Sequence, residues 1–242
     1  TSPEDQVLYF LKSVIDNTSD LAAAYKPNLA FFEALGSQGL QVFKEIIDYI
    51  PDGKIVIADG KRGDIHSTAE HYARAYFENF DVDALTLNPL MGFETLEPFL
   101  NFPNKAVFVL TLTSNAGSKD FLSKPIENDA SVASYIARNL ADFDKKFRSH
   151  IGMVVGATKP QKITSVIQHH SRAALLIPGI GAQGGSIEQL RDSLKNHKGI
   201  SLVNSSRSII YAGQNKADWK KAVAQKAQQY KEALKPINKP YA

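Results

Sequence analysis

The chain predicts a parallel α/β fold. Three observations lead there: short β-branched apolar runs recur along its length, segments of helical period separate them, and no composition break divides them. The runs are Lys54–Asp59, Ala84–Asn88, Ala106–Thr113, Ile151–Gly156, Ala174–Ile180 and Gly199–Asn204. They are nearly unbroken rather than alternating, the pattern of strands buried on both faces. A weaker, alanine-rich run at Ala22–Pro27 reads as a seventh strand. Such a succession builds either an open, doubly wound sheet or a closed (β/α)8 barrel. With no low-complexity linker in the chain, residues 1–242 read as one domain.

The helical segments follow from periodicity and capping. Asp5–Leu21 places Val7, Leu11, Val14 and Ile15 on one face, and Gln41–Ile50 does so with Val42, Ile46 and Ile50. Ser67–Phe80 opens on a capping box, Ser67 to Glu70, and carries Ala69, Tyr72, Ala73, Tyr76 and Phe77 as its apolar stripe. Ser186–Leu194 opens on another, Ser186 to Gln189. A charged amphipathic helix with the sole Trp, Trp219, covers Ala217–Leu234.

Composition excludes several classes. The 242 residues are 43% apolar and 22% charged, which rules out a collagen-like or disordered chain. No apolar stretch approaches the roughly 18 residues of a membrane span. The absence of Cys excludes disulfides, thiolate metal sites and cysteine nucleophiles, and it fits a reducing compartment. The first residues carry no secretory signal, so a cytoplasmic location is the expectation. A net charge of +3 is too mild to argue for a nucleic-acid partner.

Two motifs carry chemistry. Asp59-Gly60-Lys61-Arg62-Gly63-Asp64-Ile65 closes a strand, and its two carboxylates bracket one ammonium. Asp59 and Lys61 point the same way because strand side chains repeat with period two. The C-terminal strand ends of a parallel barrel form its active face, and nearby acids keep a lysine protonated, as a proton donor requires. A solvated charged turn is the plain alternative. The embedded Arg-Gly-Asp is a common chance tripeptide.

The second motif, Pro178-Gly179-Ile180-Gly181-Ala182-Gln183-Gly184-Gly185, has the Gly-x-Gly-x-x-Gly spacing of a dinucleotide loop. It lies late in the chain, however, and the next strand ends in Asn204-Ser205-Ser206, with no acid to hold a ribose. Backbone amides around a lone phosphate suit it better. Arg207 follows at the end of the last strand, where barrels often complete a phosphate site. Lys26 in Tyr-Lys-Pro-Asn and Ser114 in Thr-Ser-Asn are unremarkable by themselves. His66, His71, His169 and His170 form no metal-ligand spacing.

These residues together resemble the orotidine 5'-phosphate decarboxylase family, in its longer bacterial branch. Asp59-x-Lys61-x-x-Asp64-Ile65 with Thr68 is similar to the family signature. Ala-Tyr-Lys-Pro-Asn, Leu-Thr-Ser-Asn, Val-Val-Gly-Ala-Thr, Pro-Gly-Ile-Gly-Ala-Gln-Gly-Gly and Val-Asn-Ser-Ser-Arg fall in the family's order, from about Asp5 to Ala212. The resemblance implies a (β/α)8 TIM barrel that converts orotidine 5'-monophosphate to uridine 5'-monophosphate in pyrimidine biosynthesis without metal or organic cofactor. It implies that Lys61 protonates C6, that Asp59 lies beside the substrate carboxylate, and that Lys26 completes an alternating charge network. Ser114 would hold the pyrimidine edge. Pro178, Gln183, the amides near Gly181 and Gly184, and Arg207 would bind the remainder and grip the phosphate. Asp64 and Thr68 would reach across a homodimer interface to the neighbouring site.

One departure stands out. The family has a first strand ending in Gly-Leu-Asp, and nothing before Asp5 supplies it. The first strand is therefore absent from the given chain, and numbering that begins inside a longer natural chain is the expectation. Two other readings remain to be separated: a related barrel acting on a sugar phosphate with magnesium, and a non-catalytic nucleotide-binding protein.

Overall fold

The computed structural model describes residues 2–126, 128–147, 149–181 and 184–237. Seven strands form one sheet in sequence order: β1 (Ala24–Tyr25), β2 (Ile55–Arg62), β3 (Ala84–Leu87), β4 (Ala106–Leu112), β5 (His150–Val155), β6 (Leu175–Pro178) and β7 (Ser201–Asn204). Every adjacent pair is parallel. All seven runs expected from the sequence are strands. The alanine-rich one shrinks to two residues, since small side chains give little surface to pack.

Alternation along these strands separates two apolar layers. Ile57, Ala84, Phe108, Val154 and Leu176 cluster together, with Ala24, Leu110 and Leu202 packed against them. Contributions to one interior thus come from β1 and β7, the two ends of the sheet. In a flat sheet, six strand spacings would hold those ends about 29 Å apart. The sheet is instead curled into a nearly closed barrel. Among the described residues no strand bridges β7 to β1. The opposite faces, with Val56, Ala58, Leu85, Leu87, Val107, Val109, Met153 and Val155, meet the outer helices in the larger core.

That outer layer comprises α1 (Pro3–Asp16), α2 (Leu29–Glu33), α3 (Gly36–Tyr49), α4 (His66–Arg74), α5 (Glu97–Leu100), α6 (Val132–Asp144), α7 (Pro160–Ile167), α8 (Ile187–Ser193), α9 (Arg207–Ile210) and α10 (Trp219–Leu234). Ser2 and Asp5 close a full capping box on α1, behind Pro3. Ser186 caps α8 by accepting from the Gln189 amide, as its sequence predicts. The box expected at Ser67 does not form. The Asp64 carboxylate accepts the Ile65 amide at 2.8 Å, and α4 then starts at His66, so Ser67 already lies inside the first turn. Its carbonyl meets the His71 ring at 2.7 Å instead. The expected continuous helix to Phe80 also changes character: Ala75–Asn79 is a π-turn that buries both Tyr76 and Phe77.

Candidate active site

The strand positions that fill the barrel interior continue upward into polar residues. Ala24 is followed on its face by Lys26, Ile57 by Asp59 and Lys61, and Ala84 by Thr86. These four polar side chains therefore form the top layer of the barrel, over an apolar floor.

Asp59, only 9% exposed, is the centre of that layer. Its Oδ1 accepts from Lys61 Nζ at 2.5 Å and from Thr86 Oγ1 at 3.1 Å. Its Oδ2 accepts from Lys26 Nζ at 2.7 Å and from Asn28 Nδ2 at 3.1 Å. Burial by itself would raise the Asp59 pKa. Lys26 first and then Lys61 reverse that, and the net displacement is below the usual carboxylate range. The two ammoniums differ in setting: the Lys26 side chain is 13% exposed, whereas that of Lys61 is 46% exposed. Lys61 also sits in the left-handed backbone region, at φ 47°. That conformation is costly for a residue with a Cβ. Its amide donates to Thr86 Oγ1 at 2.9 Å, which holds the strained residue in place.

Arg62 points away from this layer. Its Nε donates to the Tyr76 hydroxyl at 3.0 Å, and its guanidinium pairs with Glu33. The Lys61 and Arg62 side chains part where β2 is irregular: the four steps from Ala58 to Arg62 oppose only two from Leu85 to Leu87. Asp64 behaves differently from Asp59. Its carboxylate accepts the adjacent Ile65 amide, and within the chain it forms no ion pair with Lys61 among the described residues. Of the two acids that bracket Lys61 in sequence, the fold brings Asp59 alone to it. Thr68 lies exposed in the first turn of α4.

The glycine loop lies at the C-terminal end of β6. Gly179, Gly181 and Gly184 have φ of 105°, 81° and 84°, which explains the choice of glycine at each. The loop closes on itself through Gly184 N–H to the Gly181 carbonyl at 2.9 Å and Gly185 N–H to the Gly179 carbonyl at 3.0 Å. Pro178, Gly179, Ile180, Asn204, Ser206, Arg207 and Ser208 line an open cavity of about 80 Å³ beside it. Arg207 is exposed at the start of α9 and has no carboxylate partner among the described residues. Gln183, assigned to this loop from the sequence, lies outside the described residues. Ser114 is half-buried just beyond β4.

Two members of the network escape a reading of sequence. Thr86 sits inside an apolar run, where threonine passes as an ordinary strand former. Asn28 caps α2 through its Oδ1 on the Ala30 amide, and its Nδ2 reaches Asp59. The helix-cap pattern Asn28-Leu29-Ala30 signals the first role and conceals the second.

An acid–lysine layer and a cavity lined by Arg207, both at the C-terminal ends of the strands, define a class: a parallel (β/α) barrel whose charged side chains gather on the face where such barrels do their chemistry. Comparison with known proteins makes this particular. The profile described as "Orotidine 5'-phosphate decarboxylase / HUMPS family" matches residues 8–222. An orotidine 5'-phosphate decarboxylase of Herpetosiphon aurantiacus is 41% identical over 94% of this chain and 85% of its own length. One from Porphyromonas gingivalis is 40% identical over 93% of this chain and 82% of its own. The structure of Leishmania donovani OMP decarboxylase superposes with a TM-score of 0.83 at 33% identity, covering 97% of this chain and 90% of that one. The Methanocaldococcus jannaschii enzyme complexed with the inhibitor BMP gives 0.70 at 26% identity, over 96% of this chain and 93% of that one. The chain belongs to the orotidine 5'-phosphate decarboxylase family. Among the described residues no helix is long and apolar enough to cross a membrane.

Proposed function

We propose that the chain carries out its family's reaction, the decarboxylation of orotidine 5'-monophosphate to uridine 5'-monophosphate in pyrimidine biosynthesis, with Lys61 as the proton donor. The observation that carries this reading is the Lys26–Asp59–Lys61 array. A buried carboxylate clamps the Lys61 ammonium from below at 2.5 Å and leaves it open toward the barrel mouth.

Departure of carbon dioxide leaves an electron pair on C6, with no cofactor to delocalise it. A fixed ammonium stabilises that charge as it develops, because it needs no reorganisation at the moment of reaction. Nζ then gives its proton to C6, the new C–H bond replaces the broken C–C bond, and the lysine is left neutral. Asp59 and Lys26 keep the donor aimed, with Asp59 beside the substrate carboxylate. The phosphate is held by Arg207 and the amides near Gly181 and Gly184, with Gln183 completing the grip. Binding energy gained there, away from the reacting carbon, serves to orient C6 over Lys61. Ser114 reads the polar edge of the pyrimidine, with Pro178 at the end of β6, one strand beyond β5, also in contact with the substrate.

Asp64 and Thr68 serve the neighbouring active site of a homodimer in this reading. Its support is that Lys61 does not engage Asp64 within the chain, and that apolar side chains cluster around the same loops. Phe31 after β1, Ile65 after β2, and Leu90 and Met91 after β3 are all exposed. A second copy of the chain would cover them. A single domain over residues 1–242 and a cytoplasmic setting belong to the same proposal, the latter supported by the cysteine-free sequence.

The test follows loss of orotidine 5'-monophosphate by ultraviolet absorbance with EDTA in excess, for the unaltered chain and for Lys61→Ala. Turnover that EDTA leaves intact, and that falls by at least about 100-fold in the variant, is expected. Near-normal turnover by Lys61→Ala would remove the lysine from its role. Turnover that EDTA abolishes would remove the metal-free scheme.

A further inference from the structure

Ser114 lies past the point where the sheet can hold it. β4 ends at Leu112, and its last ladder bond runs from the Gly156 amide to the Leu112 carbonyl at 2.6 Å. The following amide, Ala157 N–H, donates to the Pro178 carbonyl at 2.9 Å on the β6 side, as alternation along a strand requires. The next amide due to face β4 is that of Thr158, and among the described residues no backbone bond from it reaches the Ser114 carbonyl.

Side chains from the same segment take over. Thr158 Oγ1 donates to the Ser114 carbonyl at 2.8 Å, and Lys159 Nζ donates to the Asn115 carbonyl at 3.1 Å. Close packing adds to this. A Cβ built on Gly156 would lie 2.5 Å from the Ser114 nitrogen and 2.7 Å from its Cα, so glycine is what lets the two segments approach. The side chain of Thr158 is stiff at χ1, which makes its hydroxyl a well-fixed donor. Beyond Asn115 the chain passes into a short 3₁₀ turn, Ala116–Lys119, with no side-chain cap.

We infer that Thr158 is a positioning residue for pyrimidine recognition, holding the Ser114 backbone so that Ser114 presents a fixed edge to the base, with Gly156 and Lys159 in support. This rests on the assignment of Ser114 to the pyrimidine edge. It assigns to Thr158 a role exercised through Ser114, and it predicts a selective defect: contacts to the base weaken while contacts to the phosphate stay intact.

The experiment measures the affinities of uridine 5'-monophosphate and ribose 5-phosphate, together with Tm, for the unaltered chain, Ser114→Ala, Thr158→Val, Thr158→Ser and Lys159→Met. Thr158→Val keeps the shape and removes the donor. The expected result is a rise in the nucleotide Kd of about fivefold to tenfold, with the ribose 5-phosphate Kd within about twofold and Tm nearly unchanged. Thr158→Ser should restore most of the nucleotide affinity, and Lys159→Met should cost less than Thr158→Val. An equal rise for both ligands would mean general loosening and would overturn the inference. So would a normal nucleotide Kd in Thr158→Val when Ser114→Ala has a raised one. A normal nucleotide Kd in Ser114→Ala would instead refute the assignment of Ser114, and the inference with it. If Thr158→Val fails to fold, Lys159→Met decides: a raised nucleotide Kd with an unchanged ribose 5-phosphate Kd supports the inference, and an equal change in both, or none in either, overturns it.

Discussion

Replacing Thr86 by valine tests the least conspicuous part of the active site. Thr86 is 1% exposed, and valine matches its shape, so the change opens no cavity. What disappears is one hydroxyl with two partners. It donates to the Asp59 carboxylate at 3.1 Å and accepts the Lys61 amide at 2.9 Å. A hydrogen bond to a charged acceptor is worth about 1.5–3 kcal/mol, and a neutral one about 0.5–1.5 kcal/mol. The pair together contributes on the order of 2–4 kcal/mol, or about 5–15 °C in Tm for a chain of this size. Activity suffers by a separate route. The left-handed backbone of Lys61 is held partly by that amide bond, and its release would shift Nζ from the position the proposed proton transfer requires. A fall in kcat of about 10–100-fold is expected, with a smaller change in KM. Thr86→Ser keeps the hydroxyl and should retain most of both properties. Thermal unfolding and initial-rate kinetics on the two variants suffice. A Thr86→Val protein with Tm within about 2 °C and kcat within twofold of the unaltered chain would refute the claim that Thr86 secures the lysine.

Two further predictions concern the interface and the lower end of the barrel. Mixing Lys61→Ala chains with Asp64→Ala chains should restore activity through heterodimers that own one intact site, and no recovery after verified subunit exchange would exclude sites shared between subunits. Burial, reinforced by His170, pushes the His197 imidazole down to about 4, against an ordinary value of 6.5, despite the neighbouring carbonyls of Ala173 and Ile200. The unfolded chain therefore takes up a proton at His197 before the folded chain does, and stability is complete above pH 6.5 and declines toward pH 4. About 2 kcal/mol is at stake after allowance for partial exposure. His197→Leu should flatten that part of the stability profile, and an unaltered acid limb would count against His197 as its source.

The barrel was legible because its strands are buried on both faces, and that leaves continuous apolar runs such as Ala106–Leu112. β1 is faint because Ala22–Ala24 lacks the β-branched side chains that mark the other strands. Helices α6 and α7 drew no attention, although Ser131 caps the first and Pro160 opens the second. Asp59, Lys61 and Arg207 stand out in the sequence because charged residues directly after buried strands are costly unless paired or used. Lys26 was recognisable only through resemblance. Its value depends on β1 lying beside β2, where Ala24 is in register with Ile55, and one local sequence does not encode that contact. Thr86 depends likewise on register, since Ala58 pairs with Leu85 and so brings the next residues of both strands together. The Ser67 capping box misled because its spacing is local, whereas the start of α4 is fixed by the turn at Asp64.

The four donors around Asp59 have a consequence for proton traffic. A carboxylate offers about four lone-pair directions, and Lys61, Thr86, Lys26 and Asn28 take them all. Asp59 has no vacancy left for an incoming proton, so in the proposed reaction it would shape the field around C6 without relaying hydrogen to it. Under the proposed mechanism Lys61, spent after each turnover, would be recharged from the side it exposes to water. Each product molecule formed in deuterated solvent should then carry a solvent-derived hydrogen isotope at C6, with no memory of the previous cycle stored in the barrel.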